Sequence, residues 1–135
     1  TNISLLLHSL AESIKKRGLI ILISDLLDNQ EDIVKGLRHF RYKGHEVIIF
    51  HVIDPKEKDL NYNENINFID MENKDNIIID SRLIREKYNK AFDDFCDYYE
   101  VQCSRNKVDY VPILTSDSLD KSLMQYLIKR SQIAK

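Results

Sequence analysis

The chain has little cysteine: of its 135 residues, only Cys96 and Cys103 carry thiols. Seven positions apart in what reads as one helix, they lie about 10 Å apart along its axis, too far for a disulfide. With no Cys-x-x-Cys pair and no His/Cys cluster at ligand spacing, no structural zinc site is expected. The two thiols are expected to lie buried on one helix face. An excess of one charge is also missing, since 20 basic and 22 acidic side chains leave a formal charge of -2. No field of one sign is then available to draw in nucleic acid or anionic lipid. No apolar stretch approaches the roughly 20 residues that cross a bilayer, and no basic flank precedes a hydrophobic signal core. The expectation is a soluble, cytoplasmic protein with neither nucleic acid nor membrane as partner. No nucleophile, base and orienting group stand together, and there is no internal repeat or low-complexity linker. At 43% hydrophobic residues, the length suits one core, so residues 1–135 are expected to form a single α/β domain.

What is present is organised around Gly18-Leu19-Ile20-Ile21-Leu22-Ile23-Ser24-Asp25. Five consecutive large aliphatics between a glycine and a polar pair predict a strand buried on both faces, as in parallel sheets covered by helices. Asp25 then stands at the strand's carboxyl end, the edge of an open α/β sheet where ligands bind.

Before this strand, Ile3, Leu6, Leu7, Leu10 and Ile14 recur at helical spacing and predict an amphipathic helix over 3–16, closed by Lys15, Lys16, Arg17 and Gly18. After it, Asp28 and Glu31 read as a capping box that opens a second helix with Ile33, Val34, Leu37 and Phe40 on its apolar face. Gly44 ends that helix, and residues 46–53 carry a second buried strand, which completes a right-handed βαβ unit. Residues 56–65 read as an exposed loop, and 66–72 with 76–80 as a β-hairpin about Asn73-Lys74-Asp75. Asp80 or Ser81 then caps a long helix to about Asn106, with Ile84, Tyr88, Ala91, Phe92, Phe95, Tyr99 and Cys103 along one stripe. A third parallel strand follows at 108–114. Thr115 to Ser118 offer caps for a last helix whose apolar residues are Leu119, Leu123, Leu127 and Ile128.

Several blocks together carry a family likeness: Lys16-Arg17-Gly18 into Ser24-Asp25-Leu26-Leu27-Asp28, Leu37 to Ile48 with its Gly44-His45-Glu46-Val47, and His51-Val52-Ile53-Asp54-Pro55. Tyr88, Asp109-Tyr110, Thr115 and Leu119 to Arg130 extend it. The chain closely resembles the bacterial "domain of unknown function 58" family. The resemblance implies a three-layer, Rossmann-like von Willebrand factor A-like fold with strand order 3-2-1-4-5-6. Residues 19–24, 46–53 and 108–114 look like strands four to six, so the chain looks like the C-terminal half of such a domain. The resemblance also implies a metal-ion-dependent adhesion site: an Asp-x-Ser-x-Ser loop, a Thr, and an Asp after strand four that Asp25 matches by position. These residues contain no Asp-x-Ser-x-Ser, so no cofactor is expected for this chain alone. Mg2+ is expected only in a full-length relative. Relatives further suggest a MoxR-type AAA+ ATPase as partner.

Asp25, His51, Asp54 and Thr115 all fall near carboxyl ends of predicted strands and are the candidate crevice residues. For Asp25, a metal-facing role competes with acceptance of backbone N–H groups before the helix. A histidine ending a buried strand reads first as a hydrogen-bonded packing residue, Asp54 before Pro55 as a turn former, and Thr115 as part of a helix entry. The basic set Lys35, Arg38, His39, Arg41, Lys43 and His45 reads as a solvated helix face. The aromatic set Tyr88, Phe92, Phe95 and Tyr99 reads as core. The leading expectation is a non-enzymatic protein-interaction module, with a second copy as another possible occupant of the 19–24 edge. The alternative is a receiver-like phosphoacceptor domain using Asp25. That site calls for an acidic pair and a lysine that the sequence does not supply.

Overall fold

The computed structural model describes residues 2–58 and 74–133. In chain order these form α1 (Ile3–Ser13), β1 (Leu19–Ser24), α2 (Gln30–Tyr42), β2 (Glu46–Ile53), the one-turn α3 (Pro55–Lys58), α4 (Lys74–Arg105), β3 (Asp109–Leu114) and α5 (Leu119–Ile133). The strands make one parallel sheet in the order β1-β2-β3, with Ile21 beside Ile48 and Phe50 beside Val111. The fold is therefore α/β and Rossmann-like: an open sheet with helices on both faces.

Alternation along the strands divides the core. On one face, Val47 and Ile49 are buried with Leu7 and Ala11 of α1, Ile33, Val34, Leu37 and Phe40 of α2, and Tyr99 and Cys103 of α4. Ile20, Leu22 and Tyr110 pack against the same cluster. On the other face, Ile48, Phe50 and Ile113 are covered by Leu123 and Tyr126 of α5. Tyr126 also donates to an Asp109 carboxylate oxygen at 2.7 Å, and Arg130 pairs with Glu46.

β2, not β1, is the strand buried on both faces. β1 alternates: Leu19, Ile21 and Ile23 are 48%, 51% and 68% exposed, because α5 covers β2 and β3 but leaves the same face of β1 bare. The expected burial of β1 is thus corrected by its place at the end of the sheet. The terminal helix differs likewise, since Leu119, Leu127 and Ile128 are exposed and Leu123 alone of its expected apolar set packs on the sheet.

α1 ends at Ser13, earlier than expected, and buries Ser4, Leu7 and Ala11 while Leu6 and Leu10 are exposed. It lies close on α2, where a Cβ at Gly36 would come within 2.8 Å of Leu7 Cβ. The cap of α2 is Asn29, whose side chain accepts from Asp32 N, one residue later than the expected Asp28. Asp28 instead accepts from Asn29 N at 2.7 Å and from Ile3 N at 2.8 Å, tying the starts of the two helices together. These two donors hold its carboxyl below the usual range. Gly44 adopts φ +91° at the end of α2, a conformation that glycine takes without strain.

Of the expected hairpin, residues 66–72 lie outside the described residues and 76–80 are helical, within α4. The aliphatic Ile77-Ile78-Ile79 favours a strand by only about 0.5 kcal/mol per residue. A helix already nucleated by the long segment that follows extends through such residues at little cost.

Candidate functional site

The carboxyl ends of the three strands share one rim, and the expected crevice residues are spread along it. Asp25 follows β1 and is exposed, with its Oδ1 accepting from Leu27 N at 3.1 Å. Its neighbour Leu26 is fully buried in a left-handed conformation with φ +59°. That strained turn is held from several sides. Ser24 Oγ accepts from Leu26 N at 3.0 Å, while the Asp25 and Leu26 carbonyls accept from His51 Nε2 and Tyr99 Oη, each at 3.1 Å.

His51 is 1% exposed and lies between the rings of Phe95, Tyr99 and Tyr110. Tyr110 Oη is 2.6 Å from its Nδ1. Burial pushes the Tyr110 phenol well above its ordinary value, with Cys96 adding to the effect, so the phenol keeps its proton and donates it to Nδ1. The His51 proton then sits on Nε2, where it meets the Asp25 carbonyl. Desolvation lowers the His51 pKa from 6.5, against the opposing pull of Asp25, so the ring favours its neutral form. His51 is a packing residue that orients the Asp25 turn, as its strand-end position suggested. Tyr99 plays the same part from α4, and burial likewise raises its phenol.

Asp54 is exposed and accepts from Lys56 N at 2.9 Å, the geometry of a turn former at the start of α3. Thr115 is exposed and extends the parallel ladder by one rung, its N–H donating to Ile53 O at 2.9 Å. Only Asp25 and His51 of the four candidates are joined by a hydrogen bond, and that bond runs to the Asp25 backbone. Among the described residues, no three His, Cys, Asp or Glu side chains converge as a metal set. A magnesium ion takes six oxygens in octahedral array, and Asp25 with one oxygen already engaged does not fit that need alone.

The sequence pattern assigns no site role to Tyr110, Ser24 or the left-handed Leu26. Tyr110 and His51 meet because the β2–β3 register sets both on one sheet face, and neither residue type announces that register. Neither cysteine is in a disulfide; Cys103 is buried and Cys96 half-buried. Burial pushes the Cys103 thiol up to about 12, which leaves it unreactive. Of the basic set, His45 is not on a solvated face: it is 1% exposed, its Nδ1 accepts from Gly18 N at 3.1 Å, and its Nε2 has no partner. His45 lies at the amino ends of β1 and β2, away from the rim.

The sheet has two outer edges, and their backbone directions follow from one bond each. Glu46 N donates to Gly18 O at 3.0 Å. Backbone groups alternate in direction along a strand, so Ile20, Leu22 and Ser24 also face β2, and Leu19, Ile21 and Ile23 point outward. From the Thr115 rung, the same alternation points Pro112 of β3 outward. No strand among the described residues pairs with the outer edge of β1. No helix among them is long and apolar enough to cross a membrane.

No curated protein and no solved structure matches the chain. A family model does, over 95 of the 135 residues, from Thr1 into α4, which leaves β3 and α5 beyond the matched segment. The chain belongs to the family described as protein of unknown function DUF58.

Proposed function

We propose that this chain is a non-enzymatic protein-interaction module whose contact element is β1. One observation carries the reading: Leu19, Ile21 and Ile23 direct both their backbone groups and their exposed side chains away from the rest of the fold. An aliphatic edge of this kind is a template for another strand, where backbone hydrogen bonds supply affinity and side chains on one face supply specificity. The parallel order β1-β2-β3 agrees with strands four to six of a von Willebrand factor A-like domain. Asp25, held on the rim by His51 and Tyr99, is in that reading one carboxylate of a divalent-cation site completed by oxygens outside the described residues.

The partner that this kinship suggests is a MoxR-type AAA+ ATPase, with a second copy of the chain as competitor for the same edge. The test is a titration of the chain with such an ATPase, with and without magnesium, alongside a double variant Ile21→Lys/Ile23→Lys. Saturable binding that the double variant loses is the expected result. Absence of binding under both conditions removes this partner. A concentration-dependent dimer abolished by the same variant would assign the edge to a second copy instead.

A further inference from the structure

α4 has two faces with different surroundings. Phe95, Tyr99 and Cys103 turn one of them to the core. Along the other run Leu83, Lys87, Lys90, Asp94, Asp97 and Val101, all exposed and spaced four and three apart in alternation. At about 100° per residue this stripe is centred opposite Tyr99, and its spacing is that of the seam between two packed helices. Its ends are apolar, with Leu83 and Val101 at 50% and 46% exposed, and its middle is charged, with both lysines ahead of both aspartates. Among the described residues none of those four charges is in an ion pair. Lys90 and Asp94 are four apart with the lysine first, the weaker order for a pair within one helix.

This order is self-complementary. Laid antiparallel across a copy of itself, with a two-fold axis level with Phe92, the stripe sets Leu83 against Val101, Lys87 against Asp97 and Lys90 against Asp94, and the symmetry makes each pairing twice. A parallel pair would set lysine on lysine and aspartate on aspartate. We propose that a second copy of the chain docks on this face, the two α4 helices packing antiparallel along about 27 Å. The charge sequence selects that occupant, because the positive half of the stripe is matched by its own negative half read in reverse. The borders of the stripe set how the pair leans. Ile84, Ala91 and Tyr98 flank one side and add apolar surface, whereas Glu86, Asp93 and Glu100 flank the other and repel their counterparts. The helices therefore tilt toward the apolar border. This contact is independent of β1 and of Asp25.

The experiment is analytical ultracentrifugation of the whole chain over a range of concentrations, at low and high salt, on the wild type and on Ile21→Lys/Ile23→Lys, in which pairing through β1 is removed. A reversible dimer in both, weakened by salt, is expected. Adding Lys87→Glu/Lys90→Glu or Asp94→Lys/Asp97→Lys to the β1 variant should weaken that dimer by at least about tenfold, because all four cross-pairs become like charges. Mixed in equal amounts, the two charge variants should recover the dimer, since the four acidic positions of one chain then face the four basic positions of the other. A chain that stays monomeric once β1 is blocked, a dimer that neither reversal weakens, or a mixture that fails to recover it would each overturn the proposal. Circular dichroism checks the fold of each variant. The chain carrying all four reversals restores every pair within one sequence, and its dimerisation decides if either charge variant fails to fold.

Discussion

The two outer strands of the sheet, β1 and β3, are finished in opposite ways. β3 directs Pro112 outward, where a missing N–H costs no pairing with β2 and removes a donor from the free edge. One face of β3 is also covered by α5, with Tyr126 donating to an Asp109 carboxylate oxygen. β1 has neither device: an aliphatic stripe of Leu19, Ile21 and Ile23 lies on its bare face, and the same residues offer outward backbone groups. Natural sheets blunt edges that stay in water. The contrast separates an edge furnished to face solvent from one that, in the proposed reading, is covered.

The sharpest way to break this comparison is to test whether β2, between the two, is the core that its burial indicates. Ile49 is fully buried, so Ile49→Ala should cost about 2–5 kcal/mol in chemical denaturation. A loss no larger than that of an exposed β1 residue would remove the distinction. Next comes the turn that ends β1. His51→Leu strands the Asp25 carbonyl and the Tyr110 hydroxyl, with an expected cost of about 1–3 kcal/mol. Because the folded state holds His51 below 6.5, the unfolded chain takes up the proton more readily. The stability tied to neutral His51 is whole above about pH 6.5, falls as pH drops below that value, and levels off below the folded-state pKa. Denaturation midpoints across pH should therefore flatten in His51→Leu.

Smaller effects separate the edges themselves. Ile21→Lys and Ile23→Lys should each change stability by under about 0.5 kcal/mol, since both sites are exposed. Both should nonetheless reduce association in sedimentation runs or partner titrations. A large loss of stability would mean that β1 is packed in the isolated chain. Smallest of all, Pro112→Val restores an outward donor on β3 and should leave the Tm nearly unchanged while making the second edge more prone to self-association. If it does not, closure by α5 rather than Pro112 protects that edge.

Much of this architecture is legible in the residues. The helical spacing of Ile33, Val34, Leu37 and Phe40 marks α2, and all four are buried. Asp54 before Pro55 reads as a turn and is one. The errors have a common origin in information that a local pattern does not carry. Leu19 to Ile23 and Val47 to Phe50 are nearly the same kind of aliphatic run, yet among the described residues only the second lies between two strands. Ile77 to Ile79 resemble a strand and extend a helix because the following segment is helical. At the rim, Asp25 and His51 stood out as residue types. Tyr110, Tyr99 and Leu26 did not, because their part depends on register and on a helix distant in the chain.

Alternation and spacing by themselves placed the three parallel strands and the helices between them, because each element must present one apolar face or stripe to a core. Tertiary structure alone decided which strand is central, which edges remain open, and which side chains hold the Asp25 turn. Those outcomes depend on neighbours that arrive from remote parts of the chain, and burial is a property of the assembled sheet rather than of any one segment.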